Sequence, residues 1–240
     1  MKLGDIYKIL DTISPFELQE SWDNSGLQIG SFDDNIKSIV VSMDVDFDLL
    51  NSLKEKSLLI THHPLLFKSI KEINFAKYPS NLIKKFIKKD IYLISMHTNF
   101  DKTHLNRYVA KEILGFDTND CQDYICYFDI DKDFDEILLM VKKAFGLKSV
   151  RAVKCHDKIE RIALTTGAGG SFIKELKANL FLTGDIKYHD AMEAKSLGIS
   201  LIDIEHYCSE RFFGDILADE LKKYQIEAII ASTKNPFINY

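Results

Sequence analysis

Apolar residues recur along this chain with two different periods. Leu3, Ile6, Tyr7, Ile9, Leu10 and Ile13 fall at helical spacing, which predicts an amphipathic helix over positions 3 to 13. Ser14, Pro15 and Glu17 then supply the residue types of an N-cap, a first-turn proline and a capping-box acid, so a second short helix is expected there. Farther on, SIVVSMDVD, SLLITHHP, IYLISMHTNFD, RIALTTGAGG, LFLTGDIKYHD, ISLIDIEHYCSE and EAIIAST each open on a β-rich apolar run. Most of these runs then turn polar at glycine, proline or an acid. Helical patterns such as NLIKKFIKKD and DEILLMVKKAFG lie between many of them, an alternation that predicts α/β layers. Acids and aromatics cluster in TNDCQDYICYFDIDKDFDE, and that shift suggests two lobes, residues 1–120 and 121–240. The last strand, in EAIIAST, is free to return to the first lobe.

The polar ends of the strands carry the chemistry. In open α/β sheets ligands bind beyond the carboxyl ends of strands. Leu58, Leu59 and Ile60 read as a buried strand, and Pro64 forces His63 into an extended conformation, so His62 and His63 sit at such an end. Taken alone, HHP is a turn. IYLISMHTNFD repeats the pattern, however, with His97 and Asp101 just past its strand. In ISLIDIEHYCSERFF, His206 and Glu210 are four apart and share one face if a helix begins there. Histidine nitrogen with carboxylate oxygen suits zinc, iron, manganese or nickel, whereas calcium wants oxygens throughout. Adjacent side chains diverge, so one ion shared by His62 and His63 is awkward and two neighbouring ions are easy. His62, His63, Asp101, His206 and Glu210 are therefore the candidate ligands of two metals. In such a site a carboxylate such as Glu210 can bridge, and water between the ions becomes a nucleophile near neutral pH. The competing reading makes each pair a separate loop cap or ion pair.

Composition narrows the classes. With 46% hydrophobic residues among 240, the chain can bury a large core. A formal charge of −5 argues against a dedicated nucleic-acid binder, and the lysines of NLIKKFIKKD and DELKKY read as solvated helix faces. Cys121, Cys126, Cys155 and Cys208 form no CxxC pair, which favours reduced thiols over a disulfide framework. The opening MKLGDIYKILDTI lacks a signal-peptide pattern and no run reaches membrane-spanning length, so a soluble cytoplasmic protein is expected.

Other rim residues have two readings each. The glycines of Thr165–Phe172 allow backbone amides to approach an anion, although a simple turn is the plainer account. In TGDIKYHDA, His189 could relay a proton, or Asp185 and His189 could brace a helix. Trp22 is expected to be a buried anchor in preference to a stacking surface, with Asn24 and Gln28 tying its turn to the HHP loop. Cys208 should point off the face shared by His206 and Glu210.

SWDNSGLQIG, THHPLLF, HTNFD, TGDIKYHDA and the H-x-x-x-E of EHYCSE, in that order, resemble the dinuclear-metal family called GTP cyclohydrolase I type 2, or Nif-three-like proteins. The motifs extend from Trp22 to Glu210, most of the chain. The resemblance implies two α/β lobes with mixed sheets flanked by helices, metals in the cleft between them, and assembly as hexameric rings. It implies that His63 and Asp101 bind one metal, that His62 and His206 bind the other, and that Glu210 bridges. His97 would line the same cleft, which with Glu210 and His189 makes the expected catalytic set. The chain lacks room for the mid-chain insert of longer relatives. The family name further implies hydrolytic opening of the purine ring of GTP. A non-catalytic, ring-forming scaffold or regulator is the rival reading.

Overall fold

The computed structural model describes residues 1–116, 120–231 and 233–238. Thr118 and Asn119 of the acid- and aromatic-rich stretch, and Ser232 of EAIIAST, lie outside the described residues. The chain divides into two compact units, Met1–Phe100 with Phe213–Tyr240, and Asp101–Phe212.

The first unit holds β1 (Gly26–Ile29), β2 (Ser38–Ser42), β3 (Ser57–Thr61) and β4 (Tyr92–Ser95), with Ile229–Ile230 on the far edge beside β2. The strands β2, β3 and β4 and the Ile229–Ile230 strand run parallel, and β1 is antiparallel to β4, so the sheet is mixed. All five residues of β3 are buried, as a strand covered on both faces requires. Helix Leu3–Ile13 buries Leu3, Ile6 and Leu10 and leaves its charges in water. Helix Ser80–Lys89 buries Leu82, Ile83 and Phe86 against Leu50, Leu59 and Leu93, and its lysine face is not wholly solvated, since Lys89 Nζ donates to Leu50 O, Asn51 O and Leu53 O. The helix expected after Ser14 is a single 3-10 turn, Phe16–Leu18. Its capping acceptor is Asp11, which takes the Phe16 N–H at 2.8 Å. Phe16 stacks on Tyr7 at 4.5 Å between centroids, which fixes the turn by burial before a helix can grow.

The second unit holds β5 (Asp120–Gln122), β6 (Ile125–Asp133), β7 (Ala152–Val153), β8 (Lys158–Ala168), β9 (Leu180–Gly184) and β10 (Ser200–Asp203) in the order β5-β6-β8-β9-β10-β7. Strands β8, β9 and β10 are parallel, and the outer pairings are antiparallel. Side chains alternate between two cores: Ile162, Leu164, Leu180, Leu182 and Ile202 face helix Phe134–Phe145, while Ala163, Phe181 and Leu201 face Ala194 of helix Tyr188–Ser196. That period of two explains why Ile162–Leu164 and Leu180–Leu182 read as unbroken apolar runs. Phe181 is fully buried, and its truncation to alanine would cost about 3–5 kcal/mol.

The cysteines correct one expectation. Cys121 and Cys126 are register partners across the β5–β6 hairpin, with Cα atoms 4.0 Å apart, and they form a disulfide. Their spacing in sequence matches no familiar disulfide or metal signature; only the hairpin register brings them together. Cys155 and Cys208 are free. Among the described residues no helix is long and apolar enough to cross a membrane.

Candidate metal centre

Parallel pairing of β2, β3 and β4 aligns their carboxyl ends, with Ser42 opposite Thr61 and Thr61 opposite Ser95. The chain leaving β3 stays bonded to the end of β2: His62 N–H donates to Ser42 O and His63 N–H to Met43 O. His62, His63 and His97 consequently gather, with ring centroids 5.0, 5.2 and 5.6 Å apart. One nitrogen of each lies within 4.8 Å of the others, close enough to hold a metal ion.

Each ring is braced through Nδ1. His62 meets Met96 O at 2.9 Å, His63 meets Asp44 Oδ1 at 2.7 Å, and His97 meets Asp23 Oδ1 at 2.8 Å. A carbonyl or carboxylate can only accept, so Nδ1 carries the proton and a neutral ring presents its lone pair at Nε2. Metal-ligating histidines are oriented in this way. Asp23 also accepts from the Thr98 N–H and hydroxyl. Burial pushes its carboxyl up, but the hydrogen bonds from His97 and Thr98 outweigh burial and hold it well below the usual carboxylate range.

In the second unit, Glu205 takes a left-handed φ of 59° after β10 and starts helix His206–Glu210. The four-residue spacing puts His206 Nε2 2.8 Å from Glu210 Oε2, while His206 Nδ1 meets Asp185 Oδ2 at 2.7 Å. Glu210 is buried against Gly167, whose φ is +62°; a Cβ there would overlap the carboxylate. A Cβ on Gly184 would come within 2.6 Å of the His206 backbone nitrogen. The glycine-rich stretch is thus a close-approach turn for Glu210: Gly167 N–H donates to Ser209 Oγ, and Thr166 N–H to Asn106 Oδ1. Asp101, also buried, opens the π-helical turn Asp101–Leu105.

The remaining sequence candidates are placed as follows. His189 stands exposed on helix Tyr188–Ser196 with its ring edge against Tyr188, and joins none of the metal-capable groups formed by the described residues. Cys208 points at Glu205, and burial with that acid pushes its thiol up to about 11. Asn24 and Gln28 do clamp the HHP loop, through Leu66 O at 2.7 Å and Leu66 N–H at 2.8 Å. Trp22 is not buried: it is 59% exposed, its indole edge-on to Phe67 and His97, because the clamp holds the turn at the surface. Asp23 and Asp44 were missed as braces, although acids in the polar ends of DNSG and SMDVD were a visible signal.

The family profile of Duf34/NIF3 (NGG1p interacting factor 3) matches residues 1–236. The chain belongs to the Duf34/NIF3 family. It is 46% identical to the GTP cyclohydrolase 1 type 2 homolog of Campylobacter jejuni, over 99% of each chain. It is 43% identical to the GTP cyclohydrolase 1 type 2 of Helicobacter pylori, over 97% of this chain and 96% of that one. The crystal structure of a Staphylococcus aureus hypothetical protein superposes with a TM-score of 0.84 at 26% identity, covering 100% and 99%. For this Duf34/NIF3 chain, imidazoles braced through Nδ1 and buried carboxylates fit a divalent metal of the zinc, iron, manganese or nickel kind.

Proposed function

We propose that this Duf34/NIF3 protein is a dinuclear metal-dependent hydrolase of a small nucleotide, with purine ring opening of GTP the reaction suggested by its relatives' names. The observation that carries the reading is the trio of imidazoles, each braced through Nδ1, with nitrogens within 4.8 Å of one another. In this reading His63 and Asp101 hold one divalent ion, His62 and His206 hold the other, and Glu210 is shared. Two such ions supply Lewis acidity and an activated water at neutral pH. The chain's own groups orient and desolvate. Met96 O, Asp44 and Asp185 fix the tautomers of His62, His63 and His206, and Gly167 admits the Glu210 carboxylate. In this reading His97, held by Asp23, binds or protonates an oxygen of the substrate, and His189 is the outer proton relay. The protein is further proposed to act in the cytoplasm as a homo-oligomer, a hexameric ring.

The test is metal content per chain in protein purified without chelator, beside formate release from GTP. About two equivalents, falling to about one in His62→Ala, with turnover lost in Glu210→Ala, is the expected result. Protein that takes up no metal from zinc, iron or manganese sinks the proposal. The family name, an interacting factor, favours a second reading: a metal-holding scaffold without turnover. Stoichiometric metal with no formate from GTP, and no hydrolysis across nucleotides, esters and phosphodiesters, would favour that one.

A further inference from the structure

Trp22, Phe67 and His97 form a nearly equilateral triangle of rings. Their centroids are 6.0 Å apart for Trp22–Phe67, 6.1 Å for Phe67–His97 and 6.4 Å for Trp22–His97. The planes meet at 68°, 83° and 77°, so the rings make an open corner and not a closed stack. Trp22 is 59% and Phe67 42% exposed, while the His97 side chain is 17% exposed. Two large apolar rings left in water are a recognition surface in waiting.

Hydrogen bonds tie down the chain on both sides of the corner. Asn24 donates to Leu66 O and Leu66 N–H donates to Gln28, which fixes the chain on the Phe67 side. Asp23, next to Trp22, accepts from His97 and Thr98, which fixes the other side. A corner whose backbone is already tied down loses less entropy on receiving a flat ligand than a loose loop would. Its third wall, His97, belongs to the metal-capable trio, so whatever lies in the corner borders that trio.

We propose that Trp22 and Phe67 are the base-binding wall of this protein, taking a purine ring flat on one aromatic face and edge-on to the other. The inference rests on the nucleotide-hydrolase reading and adds the residues that select a heteroaromatic substrate over other phosphate or ester compounds. Base stacking on an aromatic side chain is worth about 1–3 kcal/mol, so removing either ring should weaken binding about tenfold.

Trp22 is the single tryptophan of the chain, so the indole emission of the purified protein reports this corner alone. Guanosine and GTP are titrated into wild type, with ribose 5-phosphate as the control that lacks a base. Saturable quenching by guanosine and GTP, absent with ribose 5-phosphate, is expected. Phe67→Ala should shift that curve about tenfold. By equilibrium dialysis Trp22→Ala should lose about tenfold in guanosine affinity while Trp22→Phe stays near wild type, with metal content unchanged in all three variants. Emission indifferent to guanosine and GTP, or quenched equally by ribose 5-phosphate, overturns the inference. So does emission that follows protein concentration and ignores the base, which would mean that a second copy covers the corner. The wild-type titration needs no variant to fold. Metal content with formate release judges the hydrolase reading and quenching judges the wall, so the two fail separately.

Discussion

The two units hold their ligand-type residues with a different balance of side-chain and backbone contacts. In the first, three imidazoles are braced by groups from scattered positions, Met96, Asp44 and Asp23, so geometry depends on side-chain hydrogen bonds. In the second, His206 and Glu210 share one helical turn, and beyond the Asp185 brace on His206 their places are secured by backbone: a left-handed Glu205 and two glycines that leave no room for a Cβ. Side-chain braces can be lost one at a time with partial effect. Backbone contacts cannot be lost in part.

That contrast orders the expected effects. Gly184→Ala should be the most damaging, because its Cβ would meet backbone at 2.6 Å; about 3 kcal/mol of stability should disappear, read as a lower denaturant midpoint. If the midpoint holds, the backbone account of the second unit is wrong. Gly167→Ala comes next. Its left-handed backbone costs about 1–2 kcal/mol for any side chain, and the displaced Glu210 should lower metal content, measured by elemental analysis.

In the first unit, Asp44→Ala should leave the fold intact and weaken metal binding about 10- to 100-fold, measured by chelator competition. An equal loss of folding stability would erase the distinction between the units. The mildest expected effect is one of pH. Asp23 titrates below its unfolded value, so its stabilisation is present above about pH 4 and drains away as pH falls through the lower folded value. Asp23→Asn should flatten that acid limb of the stability curve; an unchanged limb would show that the His97–Asp23 bond carries no net weight.

Much of the fold was legible in the sequence. Helix Leu3–Ile13 and the strand cores of β2, β3, β4, β8, β9 and β10 follow from local apolar periodicity, since burial on both faces leaves an unbroken run that chain position alone does not obscure. The i, i+4 pairing of His206 with Glu210 was legible for the same reason: helical geometry is local. The 3-10 turn at Phe16 was not, because stacking on Tyr7 and the Asp11 acceptor overrode the capping pattern. Trp22 read as an anchor by residue type, yet it is exposed, because what decides burial is how the turn is clamped from Leu66.

The sequence by itself determined which residue types end the strands, and therefore that histidines and carboxylates stand at carboxyl rims; periodicity and strand length are properties of neighbouring residues. Tertiary structure alone decided which acid braces which imidazole, which cysteines join, and which glycine touches Glu210. Those contacts link positions as far apart as 74 residues, the separation of Asp23 from His97, and they come from strand order and register. Local sequence carries no signal of either, because the free energy that selects them is released only when distant segments pack.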